Sequence, residues 1–266
     1  MKKTIACLFL FILAACNSQT KNEVHHNDPT TDKLTVNNIS SDKESIVDYN
    51  LILENKILNG LEISHLNIGN LNVPSGKIIV CDPLVSFNWI PLSKNINPGN
   101  YPIKIYIAKT KNAGNRFALA QLQISDKKAS KWVLAIQENE NINELIEDDS
   151  FFGFSVDSGL ASFFDYQTGI EYDKFEKQFY EKNPGKNIYD DFFDAEFNKN
   201  KINKDNTTEN GSWINYIFPT TELNITMFES GYGDGVYPAY WGIDEQGEIT
   251  SLIIDFFVID LPILKK

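Results

Sequence analysis

Five aspartates occupy the positions in this chain best placed for chemistry. Asp82 follows an apolar run ending in Cys81, Asp157 follows another ending in Val156, and Asp165 follows Phe164. Asp234 lies inside Gly231-Tyr232-Gly233-Asp234-Gly235, and Asp255 interrupts Ile253-Ile254-Asp255-Phe256-Phe257. Carboxylates at strand ends can converge on one rim of a β fold, where they raise one another's pKa or hold a hard cation such as Ca²⁺ or Mg²⁺. A divalent ion held by Asp82, Asp157 and Asp234 would activate water for hydrolysis. Turn roles compete with that reading: Asp82 caps the turn before Pro83, Asp157 closes an Asx-turn onto Gly159, and Asp234 tolerates the left-handed region between glycines. Turns are the simpler account of every acid except Asp255. A carboxylate there is costly if buried unpaired, so it requires a donor, a cation or a site.

Other residue types carry weaker signals. The glycine run 231–235 leads into a strand and lacks the lysine and helix N-terminus of a phosphate-binding loop. Cys81 and His65 offer a thiol and an imidazole, and Ser158 a hydroxyl, but no G-x-S-x-G elbow surrounds the serine. Tyr232, Tyr237, Tyr240 and Trp241 place four aromatics within ten residues, more than one inner strand face can bury, so some are expected to face solvent as candidate binding residues.

The elements that position these residues read as mainly β with a helical insertion (α+β), a two-layer antiparallel sheet or sandwich with a C-terminal β-meander. Short β-branched and aromatic runs at 77–80, 103–108, 117–124, 132–136 and 151–156 are separated by turn residues such as Pro74-Ser75-Gly76 and Asn97-Pro98-Gly99-Asn100. The meander is expected from 224–229, 236–243 and 248–259, with Asp244-Glu245-Gln246-Gly247 as its last hairpin turn. The apolar run 252–259 marks a central strand buried on both faces, which implies a second layer. Between the β regions, Thr168 and Glu171 have capping-box spacing for a helix stopping at Asn183-Pro184-Gly185. Tyr189, Phe192, Phe193 and Phe197 predict a second helix, and 198–211 a polar surface loop. Aromatic stripes at helical spacing are expected to pack in the core.

At the other end, Met1, Lys2 and Lys3 precede the apolar run 5–13, which is shorter than the roughly 20 residues needed to span a bilayer. That is the layout of a cleavable signal peptide (1–15). Leu13-Ala14-Ala15-Cys16 resembles a bacterial lipobox, so acyl chains on Cys16, palmitate among them, are expected to tether the chain to a membrane without spanning it. Asn17 in place of Asp resembles the pattern exported to the outer membrane in diderm bacteria, which places the chain in the cell envelope. Residues 16–45 read as a flexible tether, in which His25-His26 makes a poor metal site, and 46–266 as one β-rich domain.

Composition narrows the partners. The leader carries two lysines and no acid, so its removal makes the formal charge of −12 two units more negative. An acidic chain disfavours sequence-independent contact with nucleic acid or anionic lipid, and neither is expected as a partner. Of three cysteines only Cys81 lies in the domain, which excludes an internal disulfide and a CxxC zinc site; no cofactor is expected.

Three stretches together resemble one family: the run 74–84 ending Val80-Cys81-Asp82-Pro83-Leu84, the turn Val156-Asp157-Ser158-Gly159 followed by Phe164-Asp165, and the run 230–242 continuing to Ile254-Asp255-Phe256. In this order they are similar to the family DUF4241, over most of the domain. The resemblance implies a fold and no activity, and carries over no catalytic residues. Two function classes follow: an envelope-anchored module binding a protein or glycan through exposed aromatics, and, as the alternative, a metal-assisted hydrolase built on the aspartates.

Overall fold

A computed structural model of the chain describes residues 42–201 and 212–264. The lipobox with Cys16, the His25-His26 pair and most of the polar stretch 198–211 lie outside the described residues. Among the described residues no helix is long and apolar enough to cross a membrane. The chain begins with α1 (Asn50–Glu54), β1 (Ile57–Leu58), β2 (Leu61–Val73), β3 (Ile78–Cys81), β4 (Gly99–Thr110), β5 (Gly114–Gln123) and β6 (Lys131–Leu134). It continues with β7 (Phe154–Val156), β8 (Leu160–Asp165), α2 (Tyr166–Lys182), a π-helical turn (Tyr189–Phe193) and α3 (Asp194–Lys199). The last strands are β9 (Trp213–Ile217), β10 (Asn224–Glu229), β11 (Gly235–Tyr237), β12 (Ala239–Ile243) and β13 (Ile249–Asp255).

A seven-stranded sheet runs β1-β2-β4-β5-β13-β12-β6, a four-stranded sheet runs β3-β8-β10-β9, and β11 pairs with β7 alone. All the pairs in these sheets are antiparallel. The mainly β, α+β architecture expected from the sequence is therefore present. β13 is central and buried almost throughout, as its apolar run predicts.

Strand periodicity explains the layering. Ile78 and Val80 point into the core shared with the large sheet, while Ile79 and Cys81 point the other way, into a second core with the helices. Phe163 and Phe164 on β8 divide in the same manner. The small sheet is thus buried on both faces, and the helices add a third layer to the expected two. Tyr172, Phe175, Phe179, Phe192, Phe193, Tyr216 and Phe218 interlock there, mostly edge to face, as the helical spacing predicts, whereas Tyr180, expected on the same face as Tyr172, Phe175 and Phe179, is exposed.

Several local expectations shift. The helix begins before Thr168, because Asp165 accepts from the Gln167 N–H at 2.8 Å and caps it. Its interior Gly169 is explained by packing: a Cβ there would lie 2.8 Å from the Trp89 ring, which rests on the helix. The three C-terminal strands do not form one meander. β10 joins the small sheet, β11 pairs with β7, and only β12 and β13 make the expected hairpin. Pro238, between β11 and β12, lacks the N–H a continuous strand would donate. Residues assigned above to the tether contribute to pairing, since Ser45 N–H donates to Trp132 O and Lys43 O accepts from Leu134 N–H, both at 2.8 Å.

Candidate binding cleft

The five aspartates do not form one site, although Asp157 and Asp234 both adjoin the Val156–Gly235 pair that ends the β7–β11 ladder and Asp82 bonds the Asp157 backbone. Asp82 is wholly buried and saturated: Oδ1 accepts from Leu84 N–H (3.0 Å) and Ser158 Oγ (2.6 Å), Oδ2 from the N–H groups of Asp157 (3.0 Å) and Ser158 (2.7 Å). It clasps the turn between β7 and β8, and the Ser158 hydroxyl is committed as a donor to Asp82. Asp157 contributes only its backbone to this clasp, and its side chain is exposed. Asp165 caps α2 and also takes the N–H and hydroxyl of Ser75 at 2.9 and 2.7 Å, fixing the turn before β3. Asp234 is exposed, and the left-handed residues of its loop are Gly231 (φ 58°) and Gly233 (φ 106°), so the turn role belongs to the glycines. Among the described residues no three His, Cys, Asp or Glu side chains form a group that could hold a metal ion.

Asp255 is the acid whose environment is unusual. It is 5 % exposed, and burial pushes its pKa up to about 6, against the pull of hydrogen bonds from Phe257 N–H (2.9 Å) and the Tyr49 hydroxyl. Burial also raises Tyr49 well above the ordinary tyrosine value, with Asp255 adding to the effect, and raises Tyr240 to about 12. The donor that Asp255 requires is therefore internal. Its bond to Phe257 holds that residue at φ 53°, a conformation a bulky side chain rarely adopts.

Cys81 and His65 are also apart. Burial raises the Cys81 thiol to about 12, and its sulfur lies 3.7 Å from Ser162 Oγ, whereas His65 is exposed on β2 beside Tyr106. A thiol of that pKa is not a thiolate at neutral pH.

The four candidate aromatics separate by burial. Trp241 is 0 % exposed, Tyr237 is buried and Tyr240 is half-buried against Tyr49, so these belong to the core. Tyr232 is 60 % exposed. The reason lies in its loop. Tyr237 donates its hydroxyl to Gly233 O (2.7 Å) and Ser230 O (3.1 Å), and a Cβ on Gly231 would lie 2.8 Å from the Phe256 Cβ. The loop is pinned to the core at both of its ends, and Tyr232 projects between them.

Tyr232 forms one wall of an open cleft of about 460 Å³. The tip of the β4–β5 hairpin, with Thr110, Lys111 and Asn112, forms a second wall, closed by Thr110 Oγ1 donating to Gly114 O at 2.8 Å. Val258 to Asp260 and Asn59 form the third, where the Asn59 amide donates to Asp260 O. The Arg116 guanidinium sits over the Tyr232 ring, 6.0 Å from its centroid. Its Nη1 makes one long contact of 3.5 Å to Asn115 O, and its buried Nε has no hydrogen-bond partner. Arg116 is not part of the cleft's lining but adjoins it through the Tyr232 ring, and a tyrosine beside Asn59, Thr110, Lys111, Asn112 and Asp260 suits a polar, flat-faced ligand of modest size. Apart from Tyr232, no motif marks these residues. Arg116 does carry a compositional signal, as the chain's only arginine.

A family model described as "Protein of unknown function (DUF4241)" matches residues 71–254, more than half of the chain. That span includes Asp82, Asp157 and Tyr232. No curated protein and no solved structure matches.

Proposed function

This chain belongs to the DUF4241 family, and from that premise we propose that it is a lipid-anchored binding module of the cell envelope that takes a saccharide in the Tyr232 cleft. The observation that carries the reading is Tyr232 itself, a large aromatic held in solvent by a loop stapled to the core, at the wall of a cleft with polar side chains on its other sides. Sugars present one apolar ring face and a rim of hydroxyls, complementary to a tyrosine flanked by Asn112 and Asp260. The lipobox supports anchoring through Cys16, and Asn17 supports the outer membrane where the cell has one. A hydrolase built on Asp82, Asp157 and Asp234 gains no support: Asp157 and Asp234 adjoin one another at the end of the β7–β11 pair, but Asp82 is fully hydrogen-bonded within the fold and among the described residues no three such side chains form a group that could hold a metal ion.

Calorimetric titration of the full chain in detergent with a panel of mono- and disaccharides tests the site. Binding is expected, and Tyr232→Ala should abolish it while shifting Tm by less than about 2 °C, as an exposed side chain should. Binding that survives Tyr232→Ala would overturn the assignment. Cys16→Ser should move the chain from the membrane pellet to the soluble fraction, and its retention in the pellet would count against the lipid anchor.

A further inference from the structure

We infer that the ligand of the cleft is a carboxylate-bearing sugar, its ring against Tyr232 and its carboxylate on Arg116 with Lys111 beside it; this rests on the saccharide reading above. Arg116 is the only arginine among 24 basic residues in a chain with 36 acids. Among the described residues nine of the sixteen lysines have a carboxylate within 3.3 Å. Among the described residues neither Arg116 nor Lys111 has an ion pair. Arg116 is half-buried, with its guanidinium 6.0 Å from the Tyr232 ring centroid, and its donors make only the long contact to Asn115 O. A planar fork that is positioned but uncommitted matches a carboxylate, which it can take in two parallel hydrogen bonds.

The rest of the cleft selects among anions. Asp260 lies on its wall and is exposed, so a second negative charge on the ligand would meet repulsion there. A sugar phosphate is dianionic near neutral pH and is disfavoured, whereas a monoanionic sugar acid can set its carboxylate toward Arg116 and a hydroxyl toward Asp260, which accepts it. The Asn112 amide, at the hairpin tip, supplies both a donor and an acceptor for a further hydroxyl. The net charge of −12 repels anions at long range, so recognition of one must come from cations placed locally, as these two are.

The test titrates the full chain in detergent with D-glucuronate, D-galacturonate and N-acetylneuraminate, each beside its methyl ester, which keeps the ring and removes the charge. At least one acid should bind at least about tenfold more tightly than its ester, the scale of one charge-assisted hydrogen bond. Arg116→Gln should erase that preference and leave ester binding intact, Arg116→Lys should restore part of it, and Tyr232→Ala should abolish both. Equal binding of acid and ester, or a preference that survives Arg116→Gln, overturns the acidic ligand while Tyr232-dependent ester binding keeps the saccharide site. Absence of binding by every acid and ester at tens of millimolar overturns both.

Discussion

The Asp82 turn and the Tyr232 loop are both short connections at the ends of β-strands, and both carry polar residues that invite a functional reading. They differ in what their polar groups already do. At Asp82 each carboxylate oxygen accepts two hydrogen bonds from the protein, and the residue is fully buried. At Tyr232 the internal bonds belong to the staple, Tyr237 and Ser230, which leaves the exposed ring and the Arg116 head with capacity for a ligand. A saturated buried carboxylate is architecture; a positioned group with spare capacity is a candidate for recognition.

The sharpest way to break that contrast is Asp82→Ala. It leaves three N–H groups and a hydroxyl of a part-buried turn without their acceptor, and the expected loss is about 2–4 kcal/mol in urea unfolding, with Asp82→Asn milder. A variant as stable as the parent would return Asp82 to the list of functional acids.

A smaller effect is expected at Asp255, where pH reads the burial directly. Its folded pKa of about 6 lies above the unfolded value of roughly 3.9, so the fold favours the protonated acid. That contribution is complete below about pH 4 and is lost as pH rises through 6, roughly 2–3 kcal/mol in all. Between pH 4.5 and 7.5 the Tm should fall more steeply for the parent than for Asp255→Asn, whose amide does not ionise. Parallel profiles would mean that Asp255 is ionised in the fold and paired with something else. Asp191 and Asp244, held below the usual carboxylate range by Lys186 and Lys127, have the opposite sign and titrate below this window.

The smallest effect joins the two regions. Tyr237→Phe removes the hydroxyl that pins the glycine loop, at about 1 kcal/mol of stability. Saccharide affinity should fall by more than that change alone would suggest, because Tyr232 would no longer be held in place. Unchanged affinity would show that the loop needs no staple to present the ring.

Much of the fold was legible because it rests on local pattern. The β-branched run 77–80, the mostly apolar run 252–259 and the turn 244–247 each state their own structure. The meander was not legible, since nothing local says that β10 pairs with β8 and β9 instead of β12. The sites were harder still. Asp82 and Tyr232 both sit in turns beside glycine and proline, and neither sequence neighbourhood states which residue is buried.

The amino-acid sequence by itself determined the mainly β elements with their helical insertion and the acidic charge, because propensity, period and formal charge act over a few residues or over the sum of all. Tertiary structure alone decided that Asp82 is a clasp, that Trp241 and Tyr237 are core while Tyr232 is not, and that the single arginine lies over that ring. Those facts depend on which distant strands approach one another, and burial and hydrogen-bond saturation exist only once they do.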